Sequence, residues 1–112
     1  MPQVMLDSPQ AAAGPYDSLR RFLDRACLAL AQDQREDFRY YAISAKAALS
    51  VLDNGLDYHR GMPALAFHHV YLCMLALIDR ALAGRDAADG LQYCRDLAEE
   101  LHQAWQEAGG RA

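Results

Sequence analysis

The sequence predicts an all-α protein folded as an antiparallel up-down four-helix bundle. Three observations predict it. Apolar residues recur at spacings of three and four in four separate stretches, the period of one helix face. Short connections separate the stretches, so consecutive helices must run antiparallel. No stretch alternates as a half-buried strand would, and the four prolines and seven glycines lie mostly near the ends of the periodic segments.

Residues 1–15 carry three prolines, a glycine and the run Ala11-Ala12-Ala13 without an amphipathic period, and are expected to form a flexible tail, with room for a short helical turn after Ser8-Pro9. The bundle domain is expected over residues 16–110. The first helix starts near Tyr16: Pro15 suits a first-turn position, and Asp17 and Ser18 put polar groups at the positive end of the dipole. Its core face is Leu19, Phe22, Leu23, Ala26 and Leu30, and the pattern fades at Gln32-Asp33-Gln34. A second helix runs from about Arg35 to about Asp53, where Asn54-Gly55 is a stop signal. Asp57 to Pro63 reads as a loop, and a third helix follows from about Pro63 to Ala83, stopped by Gly84. A fourth runs from about Asp86, a good N-cap, to Ala108 and buries Leu91, Cys94, Leu97, Ala98, Leu101 and Trp105 before Gly109-Gly110.

The 112 residues suit one domain, and 53% apolar with 23% charged residues is a globular composition. The net charge is −4, and the basic residues, all arginine except Lys46, form no stripe. Nucleic acid binding needs clustered positive charge, so it is not expected. The most apolar run, Ala66–Ile78, is shorter than the ~20 residues that span a bilayer. With no secretory signal at the start, the expectation is a cytoplasmic protein without membrane insertion. Cys27, Cys73 and Cys94 lie far apart in apolar parts of helical patterns and read as reduced, buried thiols.

The polar constellations do not build an enzyme. Glu99-Glu100-Leu101-His102 contains a Glu-x-x-His, the spacing used in di-iron bundles, but no second copy exists. His68 and His69 are adjacent, so they point about 100° apart and cannot chelate one metal as an i, i+4 pair would. No glycine-rich phosphate loop or nucleophile elbow occurs. The sequence therefore predicts no catalytic residue, no metal and no cofactor.

The unexplained feature is a surplus of apolar surface. The second helix has one stripe in Phe38, Tyr41, Ala45, Leu49 and Leu52, and another in Tyr40, Ile43, Ala47 and Val51. The third also divides in two: Leu65, His69, Leu72, Cys73 and Ala76 on one side, and Phe67, Val70, Tyr71, Met74, Leu77, Ile78 and Ala81 on the other. If the two helices are neighbours, their spare faces line one groove. The expected groove residues are Ile43, Ala47, Val51, Phe67, Val70, Tyr71, Met74 and Ile78. Such surfaces accept amphipathic helices, and methionine adapts to varied shapes. A second copy of the chain, in a homodimeric adaptor or regulator, or the chain's own tail is the alternative cover, and a third helix at the centre of the bundle would need none.

Together these stretches resemble the flagellin export chaperone family FliS. "YDSLRRFL", Tyr16 to Leu23, is similar to the family's "YDG" and "KFL"-like elements. Lys46-Ala47, Leu56-Asp57 and Gly61 follow in the family's order, then Tyr71, Met74, Ile78 and Ala81 in the third helix. Leu97, Glu100, Leu101 and Trp105 resemble the closing pattern. Two features depart from the family: "AAAGP" follows Ser8-Pro9-Gln10 where an apolar segment is usual, and Leu72, Ala76 and Leu77 stand where polar residues are common. The resemblance implies a cytoplasmic chaperone of the flagellar type III export system, needing neither nucleotide nor metal. Its client would be the disordered C-terminal segment of flagellin, masked against premature polymerisation, with other export components as further partners.

Overall fold

The computed structural model describes residues 9–56 and 62–107. Among the described residues four helices follow one another: α1 (Pro9–Ala31), α2 (Arg35–Asn54), α3 (Met62–Leu82) and α4 (Ala87–Glu107). Each packs on its two neighbours in the order α1, α2, α3, α4 and back to α1, the up-down bundle that the periodicity predicts. The α2–α3 seam is the sparsest of the four among the described residues.

The turns follow from helix-end chemistry. At the end of α1 the Gln34 amide donates to the Ala29 carbonyl and the Asp33 amide to that of Leu30. At the end of α3 the Arg85 amide donates to the Arg80 carbonyl and the Gly84 amide to that of Ala81. Both are Schellman turns, which need one residue in the left-handed region. Gly84 takes φ +81° there, and Asp33, a residue type that tolerates this region, takes φ 57°. No atom lies near a β-carbon built on Gly84, so backbone conformation rather than space favours glycine.

The first helix begins earlier than its apolar stripe suggests. It starts at Pro9 rather than near Tyr16, with Pro15 inside it, so part of the expected tail is helical. Pro9 fits a first helical position, the alanine run has the highest helix propensity, and Pro15 removes a single backbone hydrogen bond. Residues 1–8, the segment 57–61 of the expected loop, residues 108–112 and the side chain of Trp105 lie outside the described residues.

The core is built from the predicted stripes of α1, α2 and α4. Tyr16, Leu19, Leu23 and Ala26 of α1 join Ala42, Ala45 and Leu49 of α2 and Leu91, Cys94 and Ala98 of α4. From α3 come Tyr71, Met74, Ile78 and Ala81. Two phenols sit deep in this core, and the Tyr16 and Tyr71 hydroxyls lie 2.6 Å apart. Burial pushes both phenol pKa values up, so both stay neutral.

As a continuous helix, α3 is longer than the run Ala66–Ile78, and Ala64–Leu82 is long and apolar enough to cross a membrane by length and composition. The short apolar run is therefore not a sufficient argument against a membrane. The packing is that of a bundle helix: one face enters the core, and Asp79 and His68 on its flank pair with α2.

Candidate functional site

The seam between α2 and α3 sets the geometry of the expected groove. Lys46 Nζ of α2 donates to Asp79 of α3 at 2.6 Å, and His68 Nδ1 of α3 donates to Asp53 of α2 at 2.7 Å. These two cross-links mark the antiparallel register and the rotational phase that the buried stripes impose on both helices. Solvent-facing positions adjoining them belong to one outer face.

On α2 the expected groove residues are at the surface. Ile43, Ala47 and Val51 are exposed, Ile43 and Val51 at 50% and 58%, and Tyr40 continues the stripe. On α3 the assignment needs correction. Tyr71, Met74 and Ile78 are sealed in the core, at 1%, 0% and 0% exposure, and present nothing to a partner. Phe67 and Val70 are half-buried at its edge, Phe67 stacked on Tyr71 with ring centroids 6.3 Å apart. The exposed side of α3 is the other one: Leu65 and Leu72, at 41% and 49%, with His69, Cys73 and Ala76. The signal that finds this side is Asp79-Arg80. Both are exposed, and stepping back seven residues from them gives Leu72 and Cys73, while three or four gives Ala76 between the half-buried Leu75 and Leu77.

The result is an apolar outer face. Ile43 flanks the seam on one side, with Ala47 and Val51 turned progressively away from it across the outer side of α2, and Leu65, Leu72 and Ala76 flank it on the other; the Lys46–Asp79 and Asp53–His68 pairs lie between. Apolar patches rimmed by polar groups mark interaction surfaces.

The polar constellations have structural roles. Glu99 and His102, the Glu-x-x-His pair, both turn to Arg20 of α1: the guanidinium donates to His102 Nδ1 at 3.0 Å and meets Glu99 at 2.9 Å. Because arginine only donates, Nδ1 is the acceptor and the proton sits on Nε2. The His102 ring also stacks on Tyr16. Arg95 closes the same seam on Asp24 at 2.9 Å. Among the described residues no three histidine, cysteine or acidic groups converge on a metal position.

The cysteines differ from the expectation of three buried thiols. Cys94 is buried, Cys27 is half-buried, and Cys73 is exposed on the outer side of α3. Burial pushes the Cys94 thiol up to about 12; it also raises that of Cys27, which Arg95 partly offsets. The three therefore report on the rotation of α1, α3 and α4. In the native protein a thiol-alkylating reagent is expected to modify Cys73 first and Cys94 only on unfolding, read by mass spectrometry of peptides. Early modification of Cys94 with protection of Cys73 would invert the assignment of faces.

A search of curated proteins finds no match. A comparison with protein families matches residues 4–112, nearly the whole chain, to the family described as flagellar protein FliS. With that match over a four-helix bundle of the expected order, the chain belongs to the FliS family of flagellar proteins.

Proposed function

We propose that the protein is a cytoplasmic flagellar export chaperone that holds the disordered C-terminal segment of flagellin on the outer face of α2 and α3. The observation that carries the reading is the exposure of Ile43 and Val51 on the outer side of α2 and of Leu65 and Leu72 on that of the adjoining α3. Covering a medium apolar side chain fully gains about 1.5–3 kcal/mol. These four are already about half covered, so covering the rest gains on the order of 1 kcal/mol each. The client buries a matching apolar area of its own. A segment that orders as it binds loses roughly 2–5 kcal/mol in doing so, so the face must engage several turns of a client helix at once. Masking that segment keeps it from packing with its own kind before export. The role requires no catalytic step, metal or cofactor, and it places the protein on the side of the membrane from which the client departs.

The test is a calorimetric titration of the full-length chain with a synthetic flagellin C-terminal peptide. The expected result is saturable binding with a negative heat-capacity change and a gain of helical signal from the peptide. Absence of heat and of helix gain, with the chain folded and monomeric, would overturn the reading. A stable dimer that buries Cys73 and excludes the peptide would replace it with the homodimeric one.

A further inference from the structure

At the end of the bundle that carries the α1–α2 and α3–α4 turns, the helix ends do not close over the core. A cleft of ≈ 480 Å³ opens there, within the range of about 300–1,000 Å³ usual for small binding pockets. Its inner wall is apolar and at least half-buried: Leu30, Phe38 and Leu82, with Ala29, Ala81 and Ala87 between them. Three alanines stand where larger side chains would fill the space. The rim is exposed and polar, and its charged members are Arg35, Arg39 and Asp33. Among the described residues Arg20, Arg80 and Arg95 pair with carboxylates, while Arg35 and Arg39, like Arg21, Arg25 and Arg85, make no ion pair with a described residue. The cleft thus offers an apolar hollow beside two guanidinium groups that form no ion pair among the described residues, with the carboxylate of Asp33 on the rim and those of Glu36 and Asp37 in the same first turn of α2.

Its position links it to the outer face. Arg39 stands one helical turn before Ile43 on α2, so the exposed stripe Val51, Ala47, Ile43 leads toward the rim of the cleft. A helix lying along α2 in that direction reaches the end of the bundle there.

We propose that this cleft anchors the C-terminal end of the client, taking an apolar side chain between the alanines and the free terminal carboxylate against Arg35 and Arg39. The proposal rests on the client reading above and adds direction and register to it. Charge complementarity selects the occupant: an apolar group next to an anion matches both wall and rim, and a terminal carboxylate supplies the anion without a further turn of chain. Arginine suits it because its planar fork can meet both oxygens.

The test uses the full-length protein and the flagellin C-terminal peptide in three forms: free acid, C-terminal amide, and extended beyond the natural end by a glycine-serine tail. The free acid is expected to bind roughly tenfold more tightly than the other two, the effect of one charge-assisted contact. In the variant Arg35→Gln/Arg39→Gln, whose changes are at exposed positions, the free acid is expected to weaken to the level of the amide while the amide is unchanged. Equal binding of acid and amide by the native chain, or equal weakening of both by the variant, would overturn the anchor and leave the outer face standing. Failure of all three forms to bind would instead remove the client reading, and the anchor with it.

Discussion

Met74→Asp is expected to abolish the cooperative thermal transition and leave a chain without fixed tertiary structure. Met74 is fully buried in the middle of α3, in one core with Tyr71, Ile78 and the inward residues of α4. The Cys94 thiol reaches back to the Met74 carbonyl at 3.6 Å, so the two helices are close at this level. Replacing the side chain removes about 1.5–3 kcal/mol of apolar burial. The carboxylate that takes its place either stays charged, at a penalty of several kcal/mol, or takes up a proton and remains unsatisfied, at about 1–3 kcal/mol. The total is on the order of 5 kcal/mol, against the ~5–15 kcal/mol that holds a typical domain together. Met74→Leu, which keeps volume and polarity, should cost less than about 1.5 kcal/mol and melt as a single transition. Circular dichroism at 222 nm with a thermal ramp separates the cases. A Met74→Asp chain melting within a few degrees of the native one would mean that α3 presents this side to solvent.

The same residue shows where sequence reading succeeds and fails. The faces of α2 are legible because its stripes are unequal: Phe38, Leu49 and Leu52 are large and in phase, and charged or polar residues interrupt the other side at Arg39, Lys46 and Ser50. On α3 apolar residues occupy almost every direction from Ala64 to Ile78, so periodicity alone defines no inside. Apart from His68 and His69, only Asp79 and Arg80 break the symmetry, and they lie at the far end, where one residue of phase error is about 100°. The early start of α1 is hidden by Pro15, which reads as a beginning but is tolerated inside the helix. The cleft beside Arg35 and Arg39 leaves no periodic trace, because it depends on how helix ends converge. The bundle, by contrast, needs only stripes and short connections, and both are written locally.

Ile43→Asp/Leu72→Asp is expected to leave the bundle folded and to weaken binding of the flagellin peptide by at least about 100-fold. Both side chains are about half exposed, on opposite sides of the α2–α3 seam, and neither belongs to the core. In the free protein each substitution costs helix propensity, at most about 0.7 kcal/mol, and the half of the side chain already covered, on the order of 1 kcal/mol, which a domain of ordinary stability tolerates. The new carboxylate at position 43 also lies one turn from Lys46, an arrangement that suits a helix. In the complex, each change removes apolar contact and places a charge where the client would exclude water. A loss of about 1.5 kcal/mol per site is roughly 3 kcal/mol in all, which corresponds to the stated fold-change. Substitution at Tyr93, exposed on α4 and away from the seam, is the control that should leave affinity intact. Val70→Asp is less informative, because Val70 packs partly against the core and its loss mixes folding with binding. If the double variant stays folded and binds as tightly as the native chain, the apolar stripe is not the contact surface, and the client must be sought on another face.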